Sequence, residues 1–187
     1  FRGWLALLAF LLTTAAVFGQ RFTPPPAGVD ISGSWYIVGH QNNGLGTAQG
    51  MLVDYGGIPI NEAGRMYALG WSPNRQTTRQ EQCMGYVPPF MYVATRYRFW
   101  EERNPINQRL TAIMSYAQTA EGNREFWLDG RPHPPAWAEH TFSGFATAKF
   151  EGDYVRVDTS HIKRGYVRTT GLVQSDQATL VEYFIRH

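Results

Sequence analysis

One stretch, FSGFATAKFEGDYVRVDTS from Phe142 to Ser160, leaves this chain little alternative to a β-hairpin. Phe142, Gly144, Ala146, Ala148 and Phe150 share one face at the two-residue period of a strand, while Ser143, Thr147 and Lys149 take the other. After Glu151, Gly152-Asp153 supplies the small residues of a two-residue hairpin loop. Closing the loop there sets Phe150 opposite Val155, Ala148 opposite Val157 and Ala146 opposite Thr159. Gly144 then faces His161. On the outer face Lys149 meets Arg156, a repulsion that the diagonal Asp158 relieves. A slip of one residue would turn every apolar side chain to water, so the register is fixed.

The rest of the chain agrees with a β architecture. Its 187 residues allow one domain with a sizeable core, aromatics stand at 14% and charges at 17%. Such a profile, with abundant Gly and Pro, suits short strands joined by turns around large side chains. A net charge of +2 with no basic stripe interleaved with aromatics does not point to a nucleic-acid partner, and none is expected. Cys83, the only cysteine, allows no intramolecular disulfide and no cysteine-based metal site, and it reads as a buried hydrophobe.

At the amino terminus one basic residue, Arg2, precedes an apolar run from Trp4 to Leu12 and then small residues. Val17 and Gly19 fit a signal-peptidase site with cleavage before Gln20. The run is short of the roughly 20 residues of a membrane span. Residues 1–19 therefore read as an apolar export helix and signal peptide, 20–29 as a linker containing Pro24, Pro25 and Pro26, and 30–187 as the β-rich domain. Export places the protein in the periplasm or outside the cell, with membrane contact only if the segment stays uncleaved. The absent initiator Met and the strand-like end at Ile185-Arg186-His187 read as a chain clipped at both ends.

Within the domain, Asn61 caps a helix from Glu62 to about Trp71 that Pro73 stops. Gln41 to Gly50 and Arg75 to Gln82 read as loops, and Phe90 to Trp100 as two strands or one bulged strand. Arg109 to Gln118 and Asn123 to Leu128 form a second hairpin around Glu121-Gly122. A proline-rich loop from Asp129 to Ala138, a long loop from His161 to Gln174 and a last strand from Ala178 to Ile185 complete the order. The expectation is a mostly β fold with one short helix, either a lipocalin-like antiparallel barrel or a β-sandwich.

Gly33-Ser34-Trp35-Tyr36 resembles the first strand of lipocalin-like barrels, where the Trp of a Gly-x-Trp motif closes the narrow end. A broader resemblance runs from Asp30 onward. The chain resembles an uncharacterised family of exported bacterial proteins with a Trp-Glu-Gly-Asp-Thr-Leu-Val-Val-Asp-Thr run, which stands here as Phe150-Glu151-Gly152-Asp153-Tyr154-Val155-Arg156-Val157-Asp158-Thr159. The likeness takes in Pro59 to Arg65, His133-Pro134, Gly171-Leu172 with Ser175-Asp176, and Val181-Glu182-Tyr183-Phe184. It implies a β-rich exported domain and no particular reaction.

Two kinds of site are open. Trp35, Tyr97, Trp100, Trp127 and Trp137 are candidates to line a pocket for a small apolar or aromatic ligand. His133, His140 and His161 with Asp158 are candidates for acid–base or metal-assisted chemistry beside the hairpin's open end. Without His-x-His or His-Glu-x-x-His spacing, no metal site and no cofactor is assigned. Ser143, His161 and Asp158 lack a Gly-x-Ser-x-Gly elbow, and Gly44-Leu45-Gly46 lacks the rest of a dinucleotide fingerprint. Adjacent Glu101 and Glu102 point to opposite faces, and the basic run around Arg164 and Arg168 reads as solvated. A binding module, an enzyme and a membrane-held interaction subunit follow as alternatives. Intact mass of the mature protein decides the last: Gln20 is expected at its amino terminus, and retention of Trp4–Leu12 would make it an anchored subunit.

Overall fold

The structure, a computed structural model, describes residues 29–36, 58–91, 96–117, 123–168 and 171–187. The export segment, most of the linker, the Gln41–Gly50 loop and the Glu121-Gly122 turn lie outside them. Among the described residues no helix is long and apolar enough to cross a membrane.

The hairpin forms in the expected register. Strands β5 (Phe145–Glu151) and β6 (Tyr154–Ser160) pair Ala146 with Thr159, Ala148 with Val157 and Phe150 with Val155. Gly152, at φ +62, leads the two-residue loop, the position where a type II′ turn needs a positive φ. Lys149 does face Arg156, but each is neutralised along its own strand, Lys149 by Glu151 and Arg156 by Asp158. The ladder starts at Phe145 rather than Phe142. Gly144 adopts φ +72, and a Cβ there would lie 2.7 Å from Thr159 Cγ2 and 2.8 Å from Ile162 Cγ1. At that end Thr141, not Gly144, meets His161: the Thr141 amide donates to the His161 carbonyl at 3.0 Å.

The hairpin belongs to a seven-stranded sheet, curled into a half-barrel, with order β1-β2-β3-β4-β5-β6-β9. The remaining members are β1 (Gly33–Tyr36), β2 (Arg96–Arg103), β3 (Leu110–Ala117), β4 (Arg124–Trp127) and β9 (Leu180–Ile185). The Leu110–Ala117 and Arg124–Trp127 pair is antiparallel, as the sequence predicts. The wholly antiparallel expectation needs correcting, because β4 and β5 run parallel. A parallel pair cannot be joined by a tight turn, so the chain crosses back between Leu128 and Gly144. Pro88–Met91 is one helical turn, and the strand predicted from Phe90 begins at Arg96 among the described residues.

Alternation along the strands turns two layers inward. Phe99, Phe126 and Phe184 meet with ring centroids 5.3 to 6.4 Å apart, backed by Ile113, Val155 and Val157. Beside them runs a polar layer. Arg124, its side chain 1% exposed, donates two hydrogen bonds to Glu182 (2.9 and 2.6 Å) and one to Thr159 Oγ1 (3.0 Å). The sheet's two ends also approach one another. Arg186, just past β9, donates to the Asp30 carbonyl at 2.8 Å, and its guanidinium lies 5.8 Å from the Trp35 ring.

A smaller lobe packs beside the half-barrel. Helix α1 (Glu62–Leu69) is capped as predicted by Asn61, whose Oδ1 accepts from the Gly64 amide at 2.8 Å, and it ends at Gly70. A 3-10 turn (Pro73–Thr77) follows, and the expected long loop after His161 contains β7 (Gly165–Tyr166) paired with β8 (Val173–Gln174). The lobe is tied together by Glu81, 4% exposed, which accepts from Tyr67 at 2.5 Å and Tyr166 at 2.7 Å and pairs with Arg75 at 3.0 Å. Its neighbour Cys83, expected inside, is exposed because Glu81 takes the inward position of this turn.

Burial alone would raise the Glu81 carboxyl, but the two tyrosine hydroxyls and the charges of Arg75 and Arg164 outweigh it and hold it below the usual value. Burial also pushes Tyr166 up to about 12. A depressed folded-state carboxyl stabilises above its unfolded pKa, near 4.3, and that contribution is lost as pH falls through the folded value. Denaturation of the Glu81→Gln variant is therefore expected to show a loss of about 1–3 kcal/mol at neutral pH. The gap should close below about pH 4, and a pH-independent gap would refute the linkage. Removing the partner of buried Arg124 is costlier. Glu182→Ala is expected to lose about 3–5 kcal/mol in urea denaturation, and an apolar replacement of both residues should recover most of it.

Candidate functional site

The aromatic candidates do not converge. Trp35 and Tyr97 face the interior as opposite partners in β1 and β2. Trp35 donates its indole N–H to the Ile31 carbonyl at 2.9 Å, and burial raises the Tyr97 hydroxyl well above its usual range. Trp100 and Trp127 occupy the opposite face of their strands, next to arginines: Arg98 lies 5.7 Å from the Trp100 ring and Arg131 3.5 Å from that of Trp127. Trp137 is 86% exposed on the crossover. Among the described residues, one void bounded by Val29, Ile31, Glu101, Ile113 and Phe150 is about 10 Å3, at or below the room one water needs. Nearby, the buried Ser115 hydroxyl has no hydrogen-bond partner among the described residues.

A larger space among the described residues lies in the small lobe, and none of the five aromatic candidates lines it. An open cleft of about 490 Å3 runs between α1 and β8. Ile58, Ile60, Ala63, Leu172 and Val173 give it apolar walls, and Tyr67, Arg164 and Gln174 supply polar groups. Its shape follows from the fold around Glu81. Tyr67 is held on Glu81 through its hydroxyl, while the Arg164 guanidinium sits 4.8 Å from its ring and so borders the cleft. Arg164 itself is exposed, as expected of its basic run, and also borders the cleft. The run also contributes Tyr166, 2% exposed, and Arg168, whose guanidinium is lowered by burial.

The histidine candidates do come together. The crossover lays His133 on the outer face of the hairpin, with Nδ1 2.6 Å from Ser160 Oγ and Nε2 2.9 Å from Thr147 Oγ1. Ser160 Oγ also lies 2.8 Å from His161 Nδ1, and His161 Nε2 lies 3.0 Å from the Pro135 carbonyl. The His140 ring stacks at a tilt 5.0 Å from that of His161, with its Nδ1 3.2 Å from the Ile162 carbonyl. Asp158 stands apart from this chain of contacts, bound to Arg156 at 2.8 Å. Among the described residues no three His, Cys, Asp or Glu side chains gather so as to hold a metal ion.

Sequence reasoning missed Ser160, Glu81 and the cleft. Ser160 sits at the expected hairpin end next to His161, so the hairpin register itself was its signal. Glu81 carries no such signal, because Arg79 to Gln82 is uniformly polar. The chain was compared with protein-family models, with curated proteins and with solved structures, and no match was found in any of the three.

Proposed function

We propose that this chain is an exported binding module for small, largely apolar molecules, and that the cleft between α1 and β8 is their seat. The cleft carries this reading: about 490 Å3 falls within the roughly 300–1,000 Å3 of small-molecule sites, and its walls are mostly aliphatic. Arg164 beside the Tyr67 ring favours a ligand with an aromatic or anionic end. The half-barrel serves as scaffold on this reading, a relative of the lipocalin-like barrel whose interior is filled by side chains. Export to the periplasm or beyond rests on the amino-terminal segment and on the resemblance of Phe150–Thr159 to the exported bacterial family.

The apolar aromatic anion 1-anilinonaphthalene-8-sulfonate probes the cleft directly. Saturable one-to-one binding with enhanced fluorescence is expected. Ala63 is exposed on α1, so Ala63→Phe should fill the cleft without disturbing the core and weaken the probe about 10-fold or more. Trp137→Ala, away from the cleft, should change nothing. Unsaturable binding, or equal affinity in Ala63→Phe, would overturn the proposal.

A further inference from the structure

We propose that Ser160 is an activated nucleophile with His161 as its general base, able to take the acyl group of a small carboxylic ester. This activity is separate from binding in the cleft. It rests on the direction of the hydrogen bonds along one chain of contacts. The Pro135 carbonyl can only accept, so His161 Nε2 carries a hydrogen and donates at 3.0 Å. In the neutral imidazole Nδ1 is then the acceptor, and the Ser160 hydroxyl donates to it at 2.8 Å. With its one proton so used, Ser160 Oγ must accept from His133 Nδ1–H at 2.6 Å. His133 Nε2 in turn accepts from the Thr147 hydroxyl at 2.9 Å. The order is nucleophile, base and orienting acceptor, with a backbone carbonyl in the orienting place.

Backbone geometry supports the assignment. Successive strand residues point to opposite faces, so a His161 continuing β6 would aim its ring away from Ser160. His161 instead adopts φ +55, an uncommon conformation for a residue with a side chain, and its ring returns to the serine hydroxyl. The His140 ring packs against it. Ser160 is half-buried beneath the crossover that carries His133 and Pro135.

In the reaction the Ser160 Oγ–carbon bond forms at the ester carbonyl as the hydroxyl proton passes to His161 Nδ1. The carbon–oxygen bond to the alcohol then breaks, and the same proton leaves on the alcohol oxygen. Water attacks the seryl ester by the same path and restores the serine, releasing the acid. His161 Nε2–H stays on Pro135 throughout, which holds the imidazolium in place.

Treatment of the full chain with p-nitrophenyl butyrate is expected to place one butyryl group on Ser160 by peptide mass mapping, with a burst of p-nitrophenolate. His161→Gln should slow that acylation about 100-fold, and Ser160→Ala should abolish it. The same bonds fasten the crossover, so a variant that keeps the nucleophile separates the two roles. In Ser160→Cys, iodoacetamide should alkylate position 160 about 10-fold faster than the exposed Cys83 of the same molecule, if His161 draws off the thiol proton. Butyryl groups absent or spread over lysines and other serines, or position 160 reacting no faster than Cys83, would overturn the proposal.

Discussion

The parallel pairing of β4 and β5 shapes more of this molecule than any other contact. Had Arg124–Trp127 run antiparallel to Phe145–Glu151, a short turn would join them and the outer face of the hairpin would stay bare. The parallel arrangement forces residues 128–144 back across that face. It brings His133 over Thr147 and Ser160, and sets the Pro135 carbonyl against His161. The crossover is fastened by side chains and by the backbone of Thr141 rather than by a helix, unlike the usual connection between parallel strands. Those same fasteners make the densest cluster of histidine contacts in the described residues.

Inside the sheet the opposite balance holds. Arg124 and Glu182 stand 58 residues apart and meet across β4, β6 and β9 in a setting nearly closed to water. Their mutual attraction offsets a large desolvation cost only because both terminal guanidinium nitrogens bond Glu182 and one also bonds Thr159. Such a pair favours one arrangement of three strands over its neighbours in register, since a slip would strand a charge in the core. The phenylalanine layer supplies burial, and the ion pair supplies selection between alternatives.

Legibility in the sequence followed the range of the interaction. The hairpin register and the Asn61 cap depend on residues within a few positions, and both were readable from pleat and capping chemistry. Arg124 shares its strand face with Phe126, and Glu182 with Phe184, but nothing local pairs the two charges. The parallel crossover, the inward turn of Glu81 and the cleft arise from contacts between distant segments, and local periodicity carries no trace of them. Aromatic content was a poor guide to a pocket because a guanidinium can cover an indole as well as a core can, as Arg131 does for Trp127.

The segment after β6 links the two proposed sites. Ser160 and His161 lie at its start, Arg164 borders the cleft, and Leu172 to Gln174 form the cleft's far wall. Between them Tyr166 is buried, bonded to Glu81 through its hydroxyl and to Val87 and Gly85 through its backbone. Sliding the segment to widen the cleft would break all three bonds. Glu81 and the Gly85–Val87 backbone thus pin Tyr166 from two sides, and that anchorage fixes where the segment can place Arg164 and the cleft's far wall.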